Sequence, residues 1–270
     1  MVTAMPGDDA RTGLQKTRFA DLRWVDSTGS TNADLLALAA EGAADGVVLV
    51  ADHQTAGRGR LGRTWEAPAG SSLLCSVLVR PDLPAGALQL LNLAAAVAAS
   101  DACDTVAGVR PLLKWPNDLV VAKPDGEERK VGGILSESSI KADGQVAVVV
   151  GMGLNVNWPK EMPDELATIA TSLNHHAGGE LDREELLIAH LQGFETILDQ
   201  LGTDEGRDTL LMRYRHLSCT LGREVRVELG SGALTGQAAD LTPDGHLLVE
   251  LAGELVEVSA GDVVHLRPTD

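Results

Sequence analysis

The pattern of apolar residues changes near residue 220, and this change constrains the fold of the 270-residue chain more than any other feature. Before it, apolar runs of strand length alternate with helical segments, which is typical of a mixed β-sheet flanked by helices. After it, short apolar runs are separated by glycine turns, which predicts a small antiparallel barrel or sandwich. We therefore predict an α+β chain with a flexible tail at residues 1–20, one domain at 21–218 and a second at 219–270.

The predicted elements follow from periodicity and from turn and capping residues. Helices are predicted after the capping sequence at residues 30–32, near 86–102, at 182–201 and at 206–217. A charged turn is predicted at 123–129. Strands are predicted in the first domain at 47–51, 73–79, 112–115, 119–122, 131–140 and 146–157, and in the second at 224–228, 233–238, 247–251, 255–258 and 263–266.

The charge balance excludes several classes of partner. The chain carries 22 basic and 39 acidic residues, a net charge of −17, and such a surface repels nucleic acids and anionic membranes. The most apolar stretch, residues 88–99, is shorter than the ~20 residues that span a bilayer, so we predict a buried helix. Three cysteines at unrelated spacings are typical of reduced thiols. We expect a cytoplasmic protein with no DNA and no membrane partner.

Residues 57–63, with the sequence GRGRLGR, predict a local site for anions. Glycines allow a backbone to approach a ligand closely, and arginines present planar donor forks to carboxylate or phosphate. The same letters match GxGxxG, but the preceding strand ends five residues too early and no helix follows, so a dinucleotide fold is disfavoured. A solvated basic turn remains the alternative interpretation.

Three further stretches carry polar residues or glycines beside predicted strands. In residues 114–118, KWPND, an aspartate could bind Mg²⁺ or sugar hydroxyls, or the pair Asn-Asp could form only a turn. In residues 130–135, KVGGIL, two glycines within a strand indicate close approach of a ligand or backbone, or a bulge beside a surface lysine. In residues 151–157, GMGLNVN, an asparagine amide could pair with an adenine edge, or pack in the sheet.

In this order, the stretches resemble the biotin protein ligases. The matching residues are 30–32, Gln54 with 57–63, Trp65, 114–118, 130–135 and 151–155, and they span about half the chain. The resemblance implies a mixed sheet flanked by helices, as in class II synthetases and biotin–lipoate ligases, with a C-terminal SH3-like β-barrel. It also implies a two-step reaction in which biotin and ATP give biotinyl-5′-AMP, which then transfers biotin to a lysine of a carboxylase carrier domain.

The resemblance assigns roles to individual residues. It implies that Lys130, Arg60 and Asp118 are catalytic, with Asn117 and Asp118 serving the nucleotide and Asp118 holding Mg²⁺. Biotin would meet Ser30, Thr31, Gln54 and Arg58; Trp65 would cover the ligand and Asn155 would contact adenine. The other expected ligand-binding residues are Asn32, Gly57, Gly59, Arg63, Lys114, Gly132, Gly133, Gly151 and Gly153.

The first 20 residues are too few for the winged helix-turn-helix that makes some relatives repressors, which also argues against DNA binding. We expect a monomer or a weak homodimer. Two alternatives remain open: a lipoate or octanoate transferase of similar fold, and a binding module that senses biotin or a nucleotide.

Overall fold

The computed structural model describes residues 6–122, 127–140, 145–229, 232–259 and 261–266. The larger of its two sheets has seven strands in the order β1-β2-β3-β7-β6-β5-β4. Among the described strands only β1 and β2 pair in parallel, so the sheet is mixed, as predicted. The strands are β1 Leu22–Thr28, β2 Val48–Gln54, β3 Ser72–Val79, β4 Leu112–Lys114, β5 Asp118–Ala122, β6 Glu128–Ile140 and β7 Val146–Asn155.

Helices cover the large sheet, and the longest of them is α3. The helices are α1 Asp8–Leu14, α2 Thr31–Ala40, α3 Gln89–Ala107, α4 Asp164–Ala167, α5 Asn174–Ala177, α6 Arg183–Gln200 and α7 Asp204–Leu217. Among the described residues, the helical segment Ala85–Ala107 alone is long and apolar enough to cross a membrane, but 72% of its apolar window is buried in the protein. Because α3 packs between the sheet and the helices α6 and α7, it is a core helix, which confirms the prediction for residues 88–99.

The prediction of a flexible N-terminal tail is wrong for residues 6–20. Helix α1 buries Leu14 completely, and Phe19 stacks on Phe194 of α6 with ring centroids 6.1 Å apart. The Glu184 carboxylate accepts hydrogen bonds from the backbone N–H groups of Gly7 and Ala10, both at 2.9 Å, which satisfies donors that a helix start leaves unpaired. The segment is therefore part of the main core.

The smaller sheet contains all five strands predicted after residue 220. They are β8 Glu224–Leu229, β9 Gly232–Leu241, β10 Leu247–Leu251, β11 Glu254–Val258 and β12 Asp262–His265, all antiparallel in the order β11-β10-β9-β8-β12. In the described residues β11 and β12 do not pair, so the sheet is open, and the expected closed barrel is not observed. Its buried residues, including Val225 and Val249, join the same core as the large sheet.

A buried histidine on α6 makes stability depend on pH. Burial lowers the pKa of His190 to about 4, so the folded state keeps this ring neutral while the unfolded chain protonates it below about pH 6.5. Since the unfolded chain then binds more protons, the free energy of unfolding falls as pH drops from about 6.5 to about 4, by about 3 kcal/mol in total. We expect His190→Leu to remove this part of the pH dependence, as measured by urea unfolding at about pH 7.5 and about pH 5. Equal pH dependence in the two proteins would contradict the assignment.

Candidate active site

One cavity brings most of the predicted site residues together. It lies between the start of α2, the segment after β2, and the strands β6 and β7, and it measures about 50 Å³. The predicted residues that line it are Ser30, Thr31, Asn32, Gln54, Arg58, Gly59, Arg60, Trp65, Asn117, Lys130, Gly133, Gly151 and Gly153. Residues separated by more than a hundred positions thus share one surface.

The end of the cavity at α2 is a network of neutral polar groups. Ser30 caps the helix, and the Gln54 side-chain oxygen accepts a hydrogen bond from the Thr31 backbone N–H at 2.8 Å. The Thr31 hydroxyl lies 2.6 Å from that of Ser76, which donates to Asn32 Oδ1 at 2.6 Å. Because the donors and acceptors are fixed by one another, this end suits a neutral ligand with amide-like groups.

Residues 57–65 form a tight hairpin over the cavity. Gly59 N–H donates to the Arg63 carbonyl at 2.6 Å, and Trp65 N–H donates to the Gly57 carbonyl at 3.0 Å. A Cβ on Gly57 would lie 2.4 Å from the Trp65 carbonyl oxygen, so the hairpin base requires glycine. At the tip, Leu61 is 70% exposed and has a positive φ of 55°. The hairpin has few apolar anchors.

Arg60 points from the hairpin into the cavity. Its Nη1 donates to Asn117 Oδ1 at 3.3 Å and to the Gly261 carbonyl oxygen at 3.1 Å. Burial lowers the pKa of the Arg60 guanidinium, and the carboxylates of Asp262 and Asp118 oppose that effect. A guanidinium stays charged even so, so the cavity contains a partly desolvated cation that can bind an anion strongly.

Lys130 supplies a second cation from β6. Its Nζ lies 2.6 Å from Asp118 Oδ1 on the neighbouring strand β5 and 5.5 Å from the centre of the Trp65 ring. The Lys130 backbone is held on both sides, because its N–H donates to the Ile169 carbonyl and its carbonyl accepts from Thr171 N–H. Lys130 and Arg60 therefore face one shared space.

Glycines on β6 and β7 make the cavity floor. Gly133 pairs with Gly153 across the two strands. A Cβ on Gly153 would lie 2.6 Å from the Trp65 ring, and one on Gly133 would lie 3.2 Å from Lys130 Nζ. The glycines predicted to allow a close approach do so here for the Trp65 ring and the Lys130 side chain. The indole N–H of Trp65 is buried and has no hydrogen-bond partner in the described part of the protein.

Six predicted residues lie outside the cavity lining. Gly57 forms the hairpin base, Gly132 packs against Leu154, and Asp118 lies directly behind the lining, with its Oδ1 2.6 Å from Lys130 Nζ and 3.5 Å from the position of a Cβ on Gly133. Arg63 turns away to an ion pair with Asp262, and Lys114 lies beside Glu128. Asn155 is 5% exposed; its side chain accepts from the Ser72 hydroxyl and donates to the Thr171 carbonyl. Asn155 therefore lies behind the cavity lining, and its contact with adenine stays a prediction.

The sequence analysis did not assign to the site five further residues that line the cavity: Cys75, Ser76, Ile134, Leu135 and Met152. Burial raises the pKa of the Cys75 thiol to about 12, so this residue is a neutral wall and not a nucleophile. Cys75 and Ser76 lie on β3, which is buried along its whole length, and the sequence around them does not distinguish a cavity residue from a core residue. Met152 alternates with the two glycines of β7, and that alternation was the available signal.

A second polar cluster joins the two sheets. Glu128, Cys219 and His265 place ligand-type atoms within 4.8 Å of one another. Desolvation raises the pKa of the Glu128 carboxyl, but the hydrogen bond from His265 and the nearby charges bring the net pKa below its ordinary value. Arg223 Nη1 already lies 2.8 Å from Glu128 Oε1 and 3.2 Å from His265 Nδ1. Because the Arg223 guanidinium already supplies the positive charge, the cluster is a set of ion pairs that joins the two sheets.

The cavity is too small for two substrates while the hairpin is closed, since ligand sites usually measure ~300–1,000 Å³ against about 50 Å³ here. We therefore expect residues 57–65 to open without ligand. Trypsin should cut after Arg58 or Arg60 in the free protein, and biotin with ATP should slow this cutting about tenfold or more. Cutting after Arg207 in α7 serves as the reference site. Equal cutting in the hairpin with and without ligands would contradict the expectation.

Comparisons with known proteins match both sheets. Residues 24–157 match the family described as "Biotin/lipoate A/B protein ligase family", and residues 220–266 match "Biotin protein ligase C terminal domain". The biotin–[acetyl-CoA-carboxylase] ligase of Mycobacterium tuberculosis is 43% identical over 90% of this chain and 88% of its own length. The bifunctional ligase/repressor BirA of Bacillus subtilis is 33% identical over 90% of this chain and 73% of its own. The biotin protein ligase of Aquifex aeolicus, solved with biotin and ATP, superposes with a TM-score of 0.77 at 30% identity, covering 93% of this chain and all of that one.

Proposed function

The chain belongs to the biotin protein ligase family, and we propose that its cavity joins biotin to ATP through Arg60 and Lys130. It is an ATP-dependent ligase that activates biotin and passes it to a protein lysine. The observation that carries the residue assignment is the shared cavity: Arg60 and Lys130 come from distant parts of the chain and line the same space as the neutral polar groups at the start of α2.

The first step has an electrostatic barrier. A carboxylate oxygen of biotin attacks the α-phosphorus of ATP, the bond from that phosphorus to the bridging oxygen breaks, and pyrophosphate leaves. Both reactants are anions, so fixed positive charge at the reacting atoms lowers the barrier; one such preorganised group typically contributes ~10²–10³ in rate. Three cations line this cavity. Arg60 and Lys130 lie close to its glycine floor, whereas Arg58 lies at the other end.

The orientation of biotin follows from the two ends of the cavity. Its neutral ureido group fits the hydrogen-bond network of Thr31, Asn32 and Gln54, while its carboxylate points to Arg60 and Lys130. The Trp65 ring closes over the chain between them, and its unpaired N–H is available to the nucleotide. In the second step, the lysine amine attacks the acyl carbon of biotinyl-5′-AMP, and AMP leaves.

Asp118 is the carboxylate that fits a Mg²⁺ ion carried with ATP. Mg²⁺ in nucleotide sites is held by one or two carboxylates together with phosphate oxygens and water, and Asp118 lies on the phosphate side of the cavity, 2.6 Å from Lys130. When bound, the ion would neutralise phosphate charge. Asp118 also holds the Lys130 ammonium in place, and this role needs no metal.

The partner in the second step is a biotin carboxyl carrier domain of an acyl-CoA carboxylase. We include no DNA partner, since the net charge of −17 repels a polyanion. A cytoplasmic location agrees with free, buried thiols at all three cysteines. The large sheet leaves β1 and β4 as its edge strands, which is compatible with a monomer or a weak homodimer, and sedimentation at several concentrations distinguishes the two.

Exchange of labelled pyrophosphate into ATP tests the proposal. Adenylation is reversible, so exchange should require biotin and should not occur with lipoate or octanoate. Transfer to a carrier domain, followed by mass spectrometry, tests the second step. Exchange with lipoate or octanoate and not with biotin would identify a different acyl substrate. Biotin binding without any exchange would identify a binding module.

A further inference from the structure

We propose that Glu137 is a positioning residue for the biotin end of the cavity, where it fixes the amide of Asn32 and tethers Arg58 at the entrance. The proposal rests on the proposed function. Glu137 lies on β6 and lines a groove of about 640 Å³ between that strand and the outer side of the hairpin. It is outside the stretches that resemble the family.

Each carboxylate oxygen of Glu137 meets a different cavity residue. Oε2 accepts from Asn32 Nδ2 at 2.9 Å, and Oε1 lies 3.5 Å from Arg58 Nη1. The Glu137 side chain is 28% exposed and that of Arg58 is 55% exposed. The contact with Asn32 is therefore a charge-assisted hydrogen bond that is largely shielded from solvent. The contact with Arg58 is long and exposed to solvent, so a ligand can replace it.

The carboxylate decides which way the Asn32 amide points. Asn32 Nδ2 donates to Glu137 and to the Leu135 carbonyl, while Oδ1 accepts from the Ser76 hydroxyl. Without Glu137, one donor loses its charged partner and the amide is held less firmly. Because Asn32 lines the cavity, its orientation determines whether a ligand meets a donor or an acceptor there.

The tether on Arg58 has a second consequence. An unpaired guanidinium near the neutral end would attract the carboxylate of biotin to the wrong end of the cavity. Pairing Arg58 with Glu137 weakens that attraction. Arg60 then remains the stronger attraction for the biotin carboxylate, because its guanidinium donates to the neutral oxygens of Asn117 and Gly261. Glu137 should therefore affect biotin far more than ATP.

Two substitutions separate these effects. Glu137→Ala removes both contacts, and Glu137→Gln keeps an oxygen for Asn32 but loses the charge that holds Arg58. We expect the Kd for biotin, measured by calorimetry on the full chain, to rise about tenfold or more in Glu137→Ala and by a smaller factor in Glu137→Gln. The KM for ATP should stay within about twofold and kcat within about threefold, since no contact made only in the transition state is lost.

A double-mutant cycle shows whether Glu137 acts through Asn32. If it does, adding Glu137→Ala to Asn32→Ala should raise the Kd by much less than Glu137→Ala does alone. Asp21→Asn is the matched control, because it breaks an exposed Asp–Arg pair at the start of β1 (2.8 Å to Arg23) and should leave biotin binding unchanged. Urea unfolding checks that each variant is folded. If Glu137→Ala does not fold, Glu137→Gln is used for the same measurements.

Three results would overturn the proposal: an unchanged Kd for biotin in Glu137→Ala, effects of the Asn32 and Glu137 substitutions that multiply, or equal losses in the KM values for biotin and ATP. Failure of the proposed function is a separate result, because wild-type protein would then show no biotin-dependent exchange.

Discussion

Lys130→Ala should abolish most of the adenylation activity while the protein still binds biotin. Lys130 Nζ reaches the cavity from β6 and is held by Asp118 at 2.6 Å, so its charge is already placed before the substrates meet. Removing a preorganised charge of this kind costs ~10²–10³ in rate. Biotin binding should change far less, because the network at the neutral end contains no contact with Lys130.

The measurement is a single-turnover experiment that follows biotinyl-5′-AMP, with calorimetry for biotin in parallel. Lys160→Ala is the matched control, since it removes an exposed lysine after β7. Lys130→Arg should retain part of the rate, because it keeps a cation with a different donor geometry. A wild-type rate of adenylate formation in Lys130→Ala would remove Lys130 from the mechanism.

Gly151→Ala should reduce biotin affinity about tenfold or more through a steric effect on Asn32. A Cβ at this position would lie 2.1 Å from Asn32 Oδ1 and 2.9 Å from its Cγ. Asn32 has little freedom to move away, because its amide is held by Ser76, Leu135 and Glu137. The added methyl must displace the whole amide, which disrupts the neutral end.

Gly179→Ala is the control for this substitution, since no atom lies within 4 Å of the position of its Cβ. Calorimetry with biotin and urea unfolding should be run on both variants. The prediction requires Gly151→Ala to bind biotin more weakly while its urea unfolding shows that the protein is still folded. Wild-type affinity in Gly151→Ala would mean that Asn32 does not shape the binding site.

The sequence alone predicted the features that depend on neighbouring residues. The hairpin at residues 57–65 has its own signals, since glycines and arginines alternate within a few positions. The strands of the small sheet are separated by glycine turns, and all five were predicted. A sheet closes into a barrel only if its two edge strands pair in space. The local sequence pattern therefore could not predict whether this sheet is closed.

Features that depend on distant partners were missed or misplaced. Leu14 and Phe19 form part of the core only because α6 lies against them, and the first strand, β1, was not predicted. Side-chain direction also depends on the position of each residue in the sheet: Lys114 pairs with Asp118 across β4 and β5 but lies outside the cavity lining. Glu137 enters the site through Asn32, more than a hundred residues earlier in the chain.

A crystal structure of this protein with biotin and a non-hydrolysable ATP analogue tests the central assignment most directly. We predict that Arg60 and Lys130 both lie within hydrogen-bond distance of the biotin carboxylate or the α-phosphate, with the hairpin closed over them. If either side chain instead lies in a different region, with the two anions meeting away from both cations, the proposed electrostatic mechanism is wrong.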